Sequence, residues 1–301
     1  MRYILVIFSA FLFSFTVISC AIDDLADKVT GSSSDDSSSD GSTGTYQLAT
    51  NDYANGVATD SSGNVYLTGG TKGGLDGNTS VGNTDLFVVK YNSSGTKQWT
   101  EQLGSESTDT ANGVATDSSG NVYLAGVTYG GLDGNSNEDN ADLFVVKYSS
   151  SGTKQWTKQL GTGEYDEARG VATDSSGNVY VVGGTKGRLN GISNSGRTDV
   201  FVIKFNSSGT RQWTKPLGTA QNDLANGVSI DSSGNFYVAG VTYKDLDGNT
   251  SAGSADLFVA KYNSSGTKQW TKQLGSSSPD YNYGRSNVLT QNTYKSIISI
   301  N

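Results

Sequence analysis

The chain has only four tryptophans, Trp99, Trp156, Trp213 and Trp270, and they stand at one constant step: 156−99, 213−156 and 270−213 are all 57. The same step carries Asp60 to Asp117, Asp174 and Asp231, each followed by Ser-Ser-Gly-Asn. The sequence is therefore a tandem array of four copies without insertions. A feature present in every copy is assigned to the fold, and function is sought where the copies differ.

One copy reads as two hairpins. In the second, Ala111 to Thr116 is a strand, Asp117-Ser118-Ser119-Gly120 a turn, and Asn121 to Thr128 the returning strand. An aspartate at the first turn position accepts bonds from backbone two residues on, and glycine adopts the left-handed conformation at little cost. A Gly/Asn/Asp-rich connection from Tyr129 to Ala141 leads to a third strand, Asp142 to Tyr148. Ser150-Ser151-Gly152-Thr153 turns the chain into the fourth, Lys154 to Leu160, which puts Trp156, Lys158 and Leu160 on one side. Such a sheet is apolar on both faces, Leu143 and Val145 against Phe144 and Val146. Face-to-face stacking buries both, each large side chain contributing roughly 1.5–3 kcal/mol. Radial stacking of four-stranded sheets makes a β-propeller.

Composition agrees with an all-β fold: 34% hydrophobic residues, with Gly 39 and Pro 2, the apolar positions grouped in short β-branched and aromatic runs. The balance of 21 basic and 29 acidic residues, net −8, without a basic cluster, argues against nucleic acid as a partner. With no histidine and Cys20 the single cysteine, the chain lacks the means for an internal disulfide, a cysteine-rich zinc site, a histidine base or a downstream cysteine nucleophile.

The N-terminus has Arg2, an apolar run from Ile4 to Ile18, and Cys20. The run is shorter than the roughly 20 residues a membrane-spanning helix needs, and reads as an export signal. Val17 to Cys20 resembles the lipobox of bacterial lipoproteins, which implies removal of residues 1–19 and lipidation of Cys20, a membrane partner through that lipid, and a place in the cell envelope on the outer-membrane, surface or periplasmic side. Residues 20–45 then read as the lipidated cysteine and an acidic Ser/Asp tether, too poor in large apolar side chains to offset its ordering entropy. Residues 46–275 hold the repeats, and 276–301 a divergent tail.

The segments Gly113 to Thr128 and Asp142 to Trp156, recurring four times, resemble the bacterial SBBP (seven-bladed β-propeller) repeat. The resemblance implies a propeller of four-stranded, 57-residue blades and carries no defined chemistry, since fold does not determine function. Four copies instead of seven raise the question of closure. A four-bladed ring lies at the lower end of the propeller range and is the arrangement expected. An open arc and a truncated larger propeller are the alternatives, because a fifth copy begins near Gly284 and fails. Oligomers are expected only if the ring is open.

Candidate sites are few. Asp133, Asn135, Asn137 and Asp139 alternate like the start of a calcium loop, although Phe144 stands where a closing carboxylate would be; calcium is the one cofactor raised, and a solvated turn is the simpler reading. Asp85, Asp142, Asp199 and Asp256 recur and read as turn or cap acceptors, and the recurrent Lys90, Lys147, Lys204 and Lys261 as snorkelling or paired cations. The third copy departs most: Arg169, Lys186, Arg188 and Arg197 replace Asn112, Tyr129, Gly131 and Asn140 of the second, a possible anion- or acidic-glycan-binding set if those positions share a rim. The expectation is an exported, lipid-anchored propeller that binds a protein or glycan without catalysis. A polysaccharide-acting propeller enzyme using loop carboxylates and a truncated remnant are the alternatives.

Overall fold

A computed structural model of the chain describes residues 52–280. They lie in the larger of two compact units, Asp52–Asn301. The expected signal segment, Cys20, the tether and residues 281–301 fall outside the described residues.

The described chain folds into four separate four-stranded antiparallel sheets, in each of which the strands neighbour one another in chain order. Blade 1 holds β1 (Tyr53–Thr59), β2 (Val65–Thr71), β3 (Asp85–Tyr91) and β4 (Lys97–Leu103). Blade 2 holds β5 (Asp109–Thr116), β6 (Val122–Thr128), β7 (Asp142–Tyr148) and β8 (Lys154–Leu160). Blade 3 holds β9 (Asp166–Thr173), β10 (Val179–Thr185), β11 (Asp199–Phe205) and β12 (Arg211–Leu217). Blade 4 holds β13 (Asp223–Ile230), β14 (Phe236–Thr242), β15 (Asp256–Tyr262) and β16 (Lys268–Leu274). The expected strands match within two residues. The long connection differs only in containing a single 3-10 turn, Leu132–Gly134 in blade 2.

The turns form as their residues dictate. Asp117 Oδ1 accepts from the backbone N–H of Ser119 and Asn121 at 2.9 and 3.0 Å, and Oδ2 accepts from the Tyr123 hydroxyl at 2.9 Å. Burial by itself would raise this carboxyl's pKa, but the bonds from Asn121, Tyr123 and Ser119 outweigh it and hold the group below the ordinary carboxylate range. Gly120 closes the turn at φ 76°. The recurrent Asp142 accepts on Oδ2 from the Glu138 N–H and the Gln159 amide at 3.0 and 2.8 Å, as a turn acceptor should. Its Oδ1 lies against Gly161, where a Cβ would come within 1.7 Å, so the Leu-Gly step that ends each blade leaves room for a buried carboxylate. A second aspartate series was not anticipated: Asp109, Asp166 and Asp223 open β5, β9 and β13, fully buried, and take bonds from Ser105, Thr162 and Thr219 of the preceding connection.

Blades join in chain order through their innermost strands: β1 meets β5, β5 meets β9 and β9 meets β13, while no outermost strand takes part in a comparable contact. Among the described residues three hydrophobic clusters form, one between each pair of successive blades. Tyr123, Leu143 and Val145 of blade 2, for instance, pack on Ala168, Val171, Val181 and Phe201 of blade 3. Each joint is also stitched by polar ties. Thr116 Oγ1 donates to the Thr59 carbonyl at 2.9 Å, and Thr173 Oγ1 to the Thr116 carbonyl at 2.8 Å.

The tryptophans complete the joints. Trp99 Nε1 and Lys90 Nζ both donate to the Ser150 carbonyl in the β7–β8 turn of the next blade, at 3.3 and 2.9 Å, and Trp156 and Lys147 do the same to Ser207. The recurrent lysines thus cap the neighbouring turn while lying over Tyr66 and Tyr123. The indoles lie so close to Gly152, Gly209 and Gly266 that a Cβ there would stand 3.1, 2.9 and 3.1 Å from the ring.

The expected closure of the ring is not what the described residues form. Among them, no cluster and no comparable strand contact joins blade 4 to blade 1. The indole of Trp270 has no following turn among the described residues, a Cβ added at Gly95 would meet nothing within 4 Å, and Leu274 is 60% exposed. Among the described residues, blade 1 and blade 4 are therefore the first and last of the stack.

Candidate functional site

Each innermost strand carries a β-bulge at the same place, leaving one residue unpaired between Ala54 and Gly56, Ala111 and Gly113, Ala168 and Gly170, and Ala225 and Gly227. A bulge re-aims its side chain. Here it turns Asn55 toward the next blade, where Nδ2 donates to the Ala111 carbonyl at 3.1 Å, and Asn112 toward the Ala168 carbonyl at 2.9 Å. In the third copy the bulge residue is Arg169, whose NH1 donates to Asn226 Oδ1 at 3.1 Å.

Around Arg169 the repeat has been changed at several positions together. Glu167 stands where the other copies have Tyr53, Thr110 and Leu224. It is buried and pairs with Arg169 at 3.0 Å, while Oε1 accepts from Asn112 at 3.0 Å. Lys186 lies over the ring of Tyr165 with Nζ 5.5 Å from its centre, and Tyr165 meets Tyr129 edge-on at 6.4 Å. Burial, then the charge of Glu167, pushes the Tyr165 phenol far above its ordinary value, so it stays a neutral hydroxyl.

Tyr165, Glu167, Arg169, Gly184, Lys186, Thr198 and Leu224 line a cavity of about 180 Å³ between blades 3 and 4. Gly184 makes it possible, because a Cβ there would sit 2.5 Å from Leu224 Cδ1. Blade 1 also has a glycine at this place, Gly70, but the Tyr53 hydroxyl lies 2.7 Å from where its Cβ would be and fills the space. The walls offer two cations, one carboxylate, a phenol and an aromatic face. That set can hold a carboxylate or sugar hydroxyls.

The structure brings two of the four anticipated basic residues to this cavity, Arg169 and Lys186. Arg188 and Arg197 are exposed in the following connection and do not line it. Arg169 also proves to lie in a strand and not in a loop. Glu167, Tyr165, Gly184 and Leu224 were missed, although aligning the four copies exposes Glu167 as the one acid at its repeat position.

The anticipated calcium loop is seen residue by residue. Asp133, at φ 55°, is ion-paired with Lys154. Asn135 Nδ2 donates to the Leu132 carbonyl at 2.8 Å, Asn137 Nδ2 to the Tyr129 and Asn140 carbonyls at 3.3 Å, and Asp139 sits in the left-handed region at φ 63°. Among the described residues, no group of three or more acidic or cysteine side chains converges. Nor is any helix among them long and apolar enough to cross a membrane.

Comparison with known proteins adds identity to this geometry. Residues 47–76, 98–133, 155–190 and 212–247 match the family model of the SBBP Beta-propeller repeat. The match at 98–133 begins in β4 and ends in the 3-10 turn of blade 2, so the sequence unit straddles a blade joint. The chain is 32% identical over 198 residues to Regulatory protein FlaEY of Caulobacter vibrioides, covering 58% of this chain and 20% of that protein. It is 25% identical over 271 residues to Uncharacterized WD repeat-containing protein L264 of Acanthamoeba polyphaga mimivirus, covering 69% of this chain and 20% of that protein. The chain thus spans about a fifth of the length of these curated relatives. Four repeat matches, four antiparallel blades and joints that recur at one step show an all-β array of propeller-type blades in which four segments are similar to the SBBP Beta-propeller repeat.

Proposed function

We propose that the protein is a non-catalytic binding module of the bacterial cell envelope, anchored by lipid on Cys20, that takes an acidic glycan in the cavity between blades 3 and 4. The observation that carries the reading is the coincidence of the cavity with the place where the repeat is most changed: Tyr165, Glu167, Arg169, Gly184 and Lys186 all come from the third copy. Recurrent residues serve the blade joints; Tyr165, Glu167 and Arg169 have no like residue in another copy, and Gly184 and Lys186 have one only in blade 1, Gly70 and Lys72.

The chemistry suits a uronic acid. Lys186 and Arg169 supply charge-assisted donors for its carboxylate, Glu167 accepts from ring hydroxyls, and Tyr165 offers an apolar face. The cavity is smaller than the roughly 300–1,000 Å³ of a typical small-molecule pocket, which fits one sugar residue with the rest of the polymer lying on the surface. A binding role is also compatible with a relative whose name calls it a regulatory protein.

The test is calorimetric titration of the full chain with oligogalacturonate and with a neutral oligoglucan of equal length. The acidic oligomer should bind, weaken with added salt, and lose about tenfold or more in affinity on Arg169→Asn or Lys186→Ala. Equal binding of both oligomers, or none by the acidic one, would reject the assignment. The anchor is tested separately: labelled palmitate should enter the wild-type chain in cells and not Cys20→Ser, and an unlabelled wild type would remove the lipid from the reading.

A further inference from the structure

Tyr129 stands on blade 2 where Lys186 stands on blade 3, one step of 57 apart, so both follow the end of a second strand on the same rim. Lys186 lines the cavity between blades 3 and 4, and so does Tyr165, the ring that Tyr129 meets edge-on at 6.4 Å. Tyr129 is therefore one ring away from the cavity wall, and it is 44% exposed. The same step pairs Lys72 with Thr108 at the first joint and Lys186 with Asn222 at the third, so the Tyr–Tyr pair belongs to the second joint alone. The backbone that carries the exposed ring is fixed: the Tyr129 N–H donates to the Thr108 carbonyl at 3.0 Å, and its carbonyl accepts from Asn137 Nδ2 at 3.3 Å. A large ring held in place and facing water offers apolar area at little ordering cost.

The charges at the two places differ in sign. In the cavity Arg169 and Lys186 stand against Glu167 alone. Around Tyr129 three connections come together. Thr108 accepts from its N–H, a Cβ on Gly130 would stand 2.5 Å from Ser105 Oγ, and Asn140 Nδ2 donates to the Gly163 carbonyl at 2.7 Å. These connections, 104–108, 129–141 and 161–165, contain no lysine or arginine and carry Glu106, Glu138, Asp139 and Glu164, besides Asp133, which Lys154 pairs. A carboxylate bound there would meet like charge, whereas a neutral sugar would lay its C–H face on the ring.

Resting on the acidic-glycan reading, we propose that the sugar joined to the uronic acid is neutral and stacks on Tyr129, so that the ligand is a mixed polymer of uronic acid and neutral sugar. The cavity, about 180 Å³, takes one sugar residue, and the next one crosses the rim. Leu224 forms the blade 4 side of the wall, while Tyr165 on the other side continues into Tyr129. The track therefore runs from the cavity over Tyr165 toward blade 2, with the charged sugar among the cations and the neutral one among the acids.

The experiment titrates the full chain with galacturonic acid, galacturonosyl-rhamnose and digalacturonate, by calorimetry and by proton NMR of the sugars. Galacturonosyl-rhamnose should bind about three- to tenfold more tightly than galacturonic acid, and digalacturonate should gain less than that. The rhamnose ring protons should shift upfield in the bound state. Tyr129→Ala should bring the ratio of disaccharide to monosaccharide affinity, both measured on that variant, to about one and abolish the upfield shift; Tyr129→Phe should keep both. The double variant Glu138→Gln, Glu164→Gln should improve digalacturonate alone.

A disaccharide gain that survives Tyr129→Ala, or no gain in the wild type, would overturn the stacking and leave the acidic-glycan reading standing. Digalacturonate gaining as much as galacturonosyl-rhamnose would overturn the assignment of a neutral sugar. Failure of all three sugars to bind would overturn this proposal and the acidic-glycan reading together.

Discussion

The joint between blades 2 and 3 and the outer faces of blades 1 and 4 are built from nearly the same residues, and they differ in what those residues do. In the joint, Leu143 and Val145 are fully buried, Trp156 roofs Gly209 and donates to Ser207, and Lys147 caps the same carbonyl. At the ends, Leu257, Val259, Trp270 and Lys261 repeat the side chains without the neighbouring blade that encloses their counterparts. The same leucine and valine are thus fully buried in one place and half-buried in the other. A blade face is stabilised by what stacks on it, and not by its own hairpins.

Cutting back the same leucine in both places should separate the two most. Leu143→Ala is expected to cost roughly 2–5 kcal/mol, because the side chain is enclosed by blade 3, whereas the half-buried Leu257→Ala should cost less than about 1.5 kcal/mol. Urea unfolding of the two variants at low concentration checks this. Equal losses would mean that blade 4 is covered after all.

The glycine turns give a finer comparison. Gly95 and Gly209 have nearly the same backbone, φ 81° and 80°, so alanine brings the same left-handed strain of about 1–2 kcal/mol to each. At Gly209 the new Cβ also stands 2.9 Å from the Trp156 ring, which adds roughly 1–3 kcal/mol, and at Gly95 it meets nothing. The difference between the two melting curves therefore measures the joint alone.

The smallest effect is that of pH. Burial raises the pKa of Asp109, Asp142, Asp166 and Asp223 despite their hydrogen bonds, while the turn carboxyls Asp60, Asp117 and Asp231 are lowered because their hydrogen bonds outweigh burial. A raised group binds its proton more tightly when folded. Its contribution is fully present below the unfolded pKa and is lost as pH rises through the folded value. A lowered group contributes above the unfolded value and loses that as pH falls through the folded one. Stability should therefore rise as pH falls from neutral to just above the ordinary carboxylate range, then decline below it. Asp256, the counterpart of Asp142 in the last blade, is lowered where Asp142 is raised: burial raises both, but Asp256 takes bonds from Gln273, Ala252, Ser251 and Gly253 that outweigh it, whereas Asp142 has fewer and lies near the charges of Glu138 and Asp139. A titration that follows Asp142 and Asp256 by carboxyl-carbon NMR should find Asp142 the higher of the two; the reverse order would contradict the hydrogen-bond sets that separate them.

Much of this was legible in the residues. Asp117-Ser-Ser-Gly and Ser150-Ser-Gly each place an oxygen acceptor or small residue before a glycine that turns out left-handed, and local chemistry of that kind needs no tertiary partner to be read. The cavity was half legible. Arg169 and Lys186 stood out as charges gained, but Gly184 and Leu224 act through the space they leave and fill, and space between blades is not written in one strand. The aspartates that open β5, β9 and β13 escaped notice because their partners, Ser105, Thr162 and Thr219, lie in a connection that the strand pattern skips.

The sequence by itself determined the blade: a constant step, alternating apolar positions and turn residues with fixed φ requirements leave a four-stranded antiparallel unit as the solution. Only the tertiary structure decided how many joints exist and which surfaces remain. The four copies are nearly equivalent as strings, and they become inequivalent by position, since each joint needs two faces and, among the described residues, the stack of four completes three.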